Sequence, residues 1–168
     1  MGSRRNYNAR RHHLAYLIEK IRARIVKSIP DDESDSIRLI DSVPIEICRY
    51  SRAKNCRILK DSEQSAPTFG YGATRQRHYF GYTKLHCVCS ASGIIHRYDL
   101  SQTHHHDINY LHGIKDKFSN CVLIGDKGYR SNPLRLTLFE YAGIELVTPC
   151  RQNELVQYTM PEDYQRLR

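Results

Sequence analysis

The sequence predicts an α/β fold, a mixed sheet flanked by helices with a basic helix in front of it. Three observations carry this. Residues 79–100 alternate in polarity around the turn "SASG", as a hairpin does. "CVLIGD", residues 121–126, is a short and almost wholly apolar run, the kind buried on both faces of a sheet. On either side of it, "DINYLHGIKDKF" and "SNPLRLTLFEYAG" carry apolar residues at helical spacing, and strands that alternate with helices make a layered sheet.

Taken in order, Leu14, Leu17, Ile18, Ile21 and Ile25 form one stripe of an N-terminal helix whose other face is basic. "SIPDDESDS" reads as a linker. This divides the chain into a basic helical segment, 1–30, and a core, 35–168. "IRLI" forms a strand that ends at Asp41, and residues 50–78, with no clean period, read as loop. The hairpin places Leu85, Cys87 and Cys89 on one side and Lys84 and His86 on the other. A helix from Asp107, capped by that residue, presents Ile108, Leu111, Ile114 and Phe118. "CVLIGD" ends at Asp126. The next helix has Ser131 or Asn132 as its cap, Pro133 in the first turn and Gly143 as terminator. "IELVTP" is a last strand and "PEDYQRLR" the start of a further helix.

The 168 residues suit one domain with little left over, and the net charge of +8 favours a polyanionic partner, nucleic acid first. Residues 1–30 hold eight basic residues against the single acid Glu19, so 8 − 1 = +7 of that excess lies there. No apolar stretch approaches the ~18 residues of a membrane span. The N-terminus lacks a signal-peptide core, which points to the cytoplasm and to reduced cysteines. The six cysteines do not form the two close pairs of a zinc site. Nor do adjacent His104, His105 and His106, which point alternately in extended chain.

Asp41 and Asp126 each end an apolar strand. If those strands are neighbours, both carboxylates enter one crevice, where a cation must offset their repulsion. Hard oxygen donors imply Mg²⁺ or Mn²⁺, and with a basic chain that implies phosphodiester chemistry. Each aspartate alone also fits a turn or cap.

The segments "IDSVPIEICRYSRAKNCRILK", "YFGYTKLHCVCSASGIIHRYDLSQTHHHDINYL" and "IGDKGYRSNPLRLTLFEYAGIELVTPCRQN" resemble, in order and spacing, the catalytic domain of bacterial insertion-sequence transposases of the DDE type. The resemblance runs from about residue 35 to the end. It implies a ribonuclease H-like fold, with Asp41 and Asp126 as the first two catalytic acids and metal ligands. It implies two Mg²⁺ (or Mn²⁺) ions, DNA cleavage at the element's ends, and in-line attack of the freed 3′-hydroxyl on target DNA. It also implies a homo-oligomer on DNA and no membrane. By the same resemblance Lys84, His86, Lys127 and Tyr129 contact DNA phosphates, as do Arg4, Arg5, Arg10 and Arg11 of the basic segment, a remnant of an N-terminal DNA-binding region. The family's third acid, a glutamate on a helix after "LVTP", finds no match, since Glu154 and Glu162 come too early. The chain therefore reads as a C-terminally incomplete piece of a transposase, impaired by itself. The competing functions are a non-catalytic DNA-binding remnant and another Mg²⁺-dependent nuclease.

Overall fold

A computed structural model describes residues 4–29, 36–57, 66–72, 76–101, 105–150 and 159–167. Two compact units divide the chain, Met1–Glu33 and Ser34–Arg168. The first is a helix, α1 (Arg4–Ser28), as its apolar spacing predicts. Its stripe of Leu14, Leu17, Ile18, Ile21 and Ile25 is 47–57% exposed. Glu19 pairs with Arg22 one turn on, at 2.6 Å.

The second unit is built on a six-stranded sheet. Its strands are β1 (Ile37–Cys48), β2 (Thr68–Gly72), β3 (Arg77–Ser90), β4 (Ile95–Ser101), β5 (Val122–Gly125) and β6 (Glu145–Val147). β1 and β4 pair antiparallel with β3, while β5 runs parallel to β1 and β6 parallel to β5. The path β4-β3-β1-β5-β6 is thus three antiparallel strands followed by two parallel ones, a mixed sheet as expected. β2 adds to β3 beside its first residues.

Side chains alternate across this sheet, so each face has its own core. Ile40, Val88, Leu123 and Leu146 face one side, under Leu111 and Ile114 of a 3₁₀ segment (Asp107–Gly113 and the turn after it) and Leu138 of α2 (Asn132–Ala142). Ile37, Leu39, Ile124 and Val147 face the other, under Met160, Tyr164 and Leu167 around the short helix α3 (Glu162–Arg166). "CVLIGD" is thus buried on both faces, as expected. The boundaries of α2 also follow the sequence. Ser131 Oγ accepts from Leu134 N at 3.4 Å, and Gly143 ends the helix in the left-handed region at φ +63.

Three expectations are corrected. β1 does not stop at Asp41 but continues to Cys48, because the long β3 pairs with it from Arg38↔Ser90 to Cys48↔Phe80. Pro44 is tolerated there because β5 pairs no further than Ile40, leaving β1 an edge on that side. Residues 50–78 are not all loop: Tyr50–Asn55 form a 3₁₀ helix and Thr68–Gly72 form β2. Asp107 begins the 3₁₀ helix without capping it, since its carboxylate is engaged elsewhere.

Candidate active site

Parallel pairing of β1 with β5 ends at Ile40↔Gly125. Asp41 and Asp126 are the next residues on the two strands. Alternation puts Asp41 on the side of Ile37 and Leu39, and Asp126 on the side of Ile124. Both therefore belong to the face that α3 covers. Residues 85 positions apart in sequence (126 − 41) thus follow directly on the last pair of a parallel ladder, whose strands lie about 4.8 Å apart.

Each carboxylate is held by backbone. Asp41 Oδ1 accepts from Ser42 N at 2.7 Å, and Asp126 Oδ1 from Gly128 N at 2.7 Å. The second contact is an Asx turn that starts the 3₁₀ turn Lys127–Tyr129. So the turn reading of Asp126 is correct, and it is also what orients the side chain. Oδ2 of each aspartate carries no hydrogen bond among the described residues. Such a pair suits Mg²⁺ or Mn²⁺, which take one or two carboxylates, keep waters and complete their shell on substrate phosphates. Among the described residues no group of three His, Cys, Asp or Glu side chains converges on a cation position. The donor set fits a divalent ion shared with substrate, not a closed protein cage.

Behind the pair, on the opposite face, lies a polar network that the sequence did not disclose. Asp107 Oδ1 accepts from Ser42 Oγ at 2.9 Å and from Lys84 Nζ at 3.1 Å. His86 Nδ1 and the Tyr129 hydroxyl are 2.9 Å apart, and His86 Nε2 and Ser101 Oγ 2.8 Å. The Tyr110 ring stacks on His86 at 4.4 Å, and its hydroxyl donates to Asp99 Oδ2 at 2.7 Å. Lys117 and Arg97 also donate to Asp99. Burial works to raise the Asp99 pKa, and these hydrogen bonds outweigh it and bring it down. Burial likewise pulls His86 down, against the raising field of Asp107. Burial therefore favours the neutral imidazole. Tyr129 is raised by burial first, then by the negative field of Asp107, with Asp41 and Asp126 adding to it and Ser42 opposing. All three aspartates thus act on one phenol.

Gly128 shows how close they come. A Cβ there would lie 2.9 Å from Asp126 Oδ1 and 3.0 Å from Asp107 Oδ2. The second glycine of "GDKGY" leaves room for both carboxylates, each with an oxygen close to the same point.

The other expected contacts divide. Lys127 is exposed beside Asp126 and Arg10 is exposed on α1. Lys84 is partly buried and paired with Asp107. His86 and Tyr129 are 1% and 0% exposed, so they cannot touch DNA; they are supports, each satisfying the other. The side chains of Arg4, Arg5 and Arg11, and residues 104 and 154, lie outside those described. Glu162 is exposed on α3. No helix among the described residues is long and apolar enough to cross a membrane.

Comparison with known proteins adds the following. The family described as Transposase DDE domain matches residues 31–168. No curated protein matches the chain. Among solved structures, the piggyBac transposase synaptic complex with hairpin DNA is similar at a TM-score of 0.48 and 15% identity, over 76% of this chain and 25% of that one. The chain thus spans a quarter of that protein's length.

Proposed function

As the chain belongs to the DDE transposase family, we propose that its core acts on DNA phosphodiesters through Asp41 and Asp126. The observation that supports this most is their placement: successive to a parallel β1–β5 pair, on one face, each with an oxygen left over. A Mg²⁺ or Mn²⁺ ion bound there would supply charge stabilisation to a phosphate undergoing in-line displacement. The protein's own part is geometric. Backbone N–H groups fix the two carboxylates, and the Asp107–Ser42–Lys84 contacts brace β1 from behind.

Lys127, exposed one residue beyond Asp126, would meet a phosphate in this reading. α1, with most of the chain's excess charge, binds DNA backbone without sequence preference, as salt-sensitive lysine and arginine contacts do. A third acid is needed to hold a second ion. With two aspartates grouped among the described residues, the 168-residue chain is expected to nick DNA only at trace level and to transfer no strands. Misplacing reacting groups by even about 1 Å costs on the order of 10²-fold.

Nicking of supercoiled plasmid in Mn²⁺ tests this. Trace nicking by the chain should vanish in both Asp41→Asn and Asp126→Asn. Nicking that survives either substitution would overturn the assignment. Robust strand transfer would show that an acid such as Glu154 or Glu162 fills the third position. DNA binding is tested separately: deleting residues 1–30 should remove most of it, and an unchanged affinity would refute the role of α1.

A further inference from the structure

A second surface lies along the sheet from the carboxylates. β2 pairs only with the first residues of β3, in the register Phe69↔Phe80 and Tyr71↔His78. Directly opposed residues share a face, and here they form a ladder of rings. Phe69 lies 5.0 Å from the buried Phe80 and 5.3 Å from Tyr50, and Tyr71 lies 5.1 Å from His78. Tyr50 and His78, at 6.4 Å, join the two halves. Only Phe80 is buried. Tyr50, Phe69 and Tyr71 are 54–57% exposed, so three large rings on one sheet edge offer their faces to solvent.

Cations stand next to them in sequence. The segment 49–57, which carries Tyr50, also carries Arg49, Arg52, Lys54 and Arg57, all exposed, and no acid. A patch of aromatic faces beside four cations suits a polyanion that carries flat apolar groups. Unpaired nucleotides are such a ligand: their bases stack on aromatic side chains while their phosphates meet lysine and arginine. A base within a duplex has its faces already covered, so duplex DNA would meet the cations but not the rings.

The distance fits the same strand of DNA. Asp41 and Cys48, the partner of Phe80, are 48 − 41 = 7 residues apart on β1. At ~3.3 Å per residue that is roughly 23 Å. At about 3.4 Å per nucleotide along a strand, the rings stand six to seven steps from the carboxylates. We propose that the Tyr50–Phe69–Tyr71 ladder is a stacking platform for unpaired bases near the scissile phosphate, with the 49–57 cations holding the phosphates between them. This rests on the proposed action on DNA, but its test does not need cleavage.

The test compares polarisation titrations of labelled oligothymidylate with those of a duplex of equal length. Tyr71→Leu, which keeps an apolar residue on β2, should weaken single-strand binding about tenfold and duplex binding by less than about twofold. The chain has no tryptophan, so Tyr71→Trp supplies a lone reporter whose emission oligothymidylate should quench. Circular dichroism confirms the fold of each variant. Unchanged single-strand affinity in Tyr71→Leu overturns the proposal. So do equal losses on both DNAs, an unquenched Tyr71→Trp, or a sedimentation shift showing that the rings cover a second copy of the chain. Asp126→Asn separates the two proposals. It should lose nicking and keep ring-dependent binding. If nicking survives while the rings still bind, the catalytic assignment fails alone.

Discussion

Around the ends of β1 and β5, the two faces of one sheet are built to opposite rules. On one face Asp41 and Asp126 lean on backbone N–H groups and leave an oxygen each without a partner among the described residues. On the other, Asp107, Lys84, His86, Tyr129, Tyr110 and Asp99 have partners in one another or in neighbouring hydroxyls. The first face leaves those oxygens open to a ligand. The second uses the same kinds of group to lock the strands in register. A buried polar network is worth most when every member is satisfied, and one lost partner strands the rest. Substitutions on the two faces should therefore fail differently, one in stability and the other in binding.

The largest effect is expected at Tyr129, whose ring is buried in the core beside Leu111 and Ile40. Tyr129→Ala should cost about 3–5 kcal/mol in urea unfolding, the usual cost of deleting a buried aromatic. A loss below about 1 kcal/mol would mean that the network braces nothing. His86→Ala comes next. It leaves the Tyr129 and Ser101 hydroxyls without their partner and should cost about 1–3 kcal/mol.

The same histidine sets a pH dependence. Its folded pKa lies below the ordinary value, so below about pH 6.5 the unfolded chain takes up a proton that the folded chain refuses. Its contribution to stability is complete above that pH and falls as pH drops through it. Melting temperatures measured downward from pH 7 should decline, and less steeply in His86→Gln. An identical slope in both proteins would exclude His86 as the cause. The smallest effect is expected for Asp107→Ala, about 1 kcal/mol for the lost Lys84 pair. An unfolding free energy unchanged from the parent would contradict the bracing role given to the Asp107–Lys84 pair.

How much of this the sequence disclosed depended on range. α2 was legible because its signals are local: a serine cap, a proline in the first turn and a glycine at φ +63. β5 was legible because four apolar residues in a row between polar ones suit a strand covered on both sides. The Asx turn of Asp126 was legible from the glycine two residues on. What escaped needs distant partners. β1 runs past Asp41 only because β3, about forty residues on, pairs with it, and Pro44 argued locally against a strand. His86 alternates with Leu85 and Cys87 and so read as an outward polar residue. It points to the core because Tyr129 and Ser101 meet it there. Asp107 looked like a cap, since nothing near it in sequence announces Ser42 or Lys84. The rings of β2 went unnoticed because "TFGYG" is short and glycine-rich.

The central claim is that Asp41 and Asp126 share one divalent cation, and Mn²⁺ binding to the 168-residue chain, followed by electron paramagnetic resonance, tests it without requiring catalysis. The chain should bind Mn²⁺. Asp41→Asn and Asp126→Asn should each abolish that binding while folding like the parent, and Asp107→Asn, on the other face, should retain it. Binding that survives either of the first two substitutions, or that is lost only with Asp107, would contradict the account.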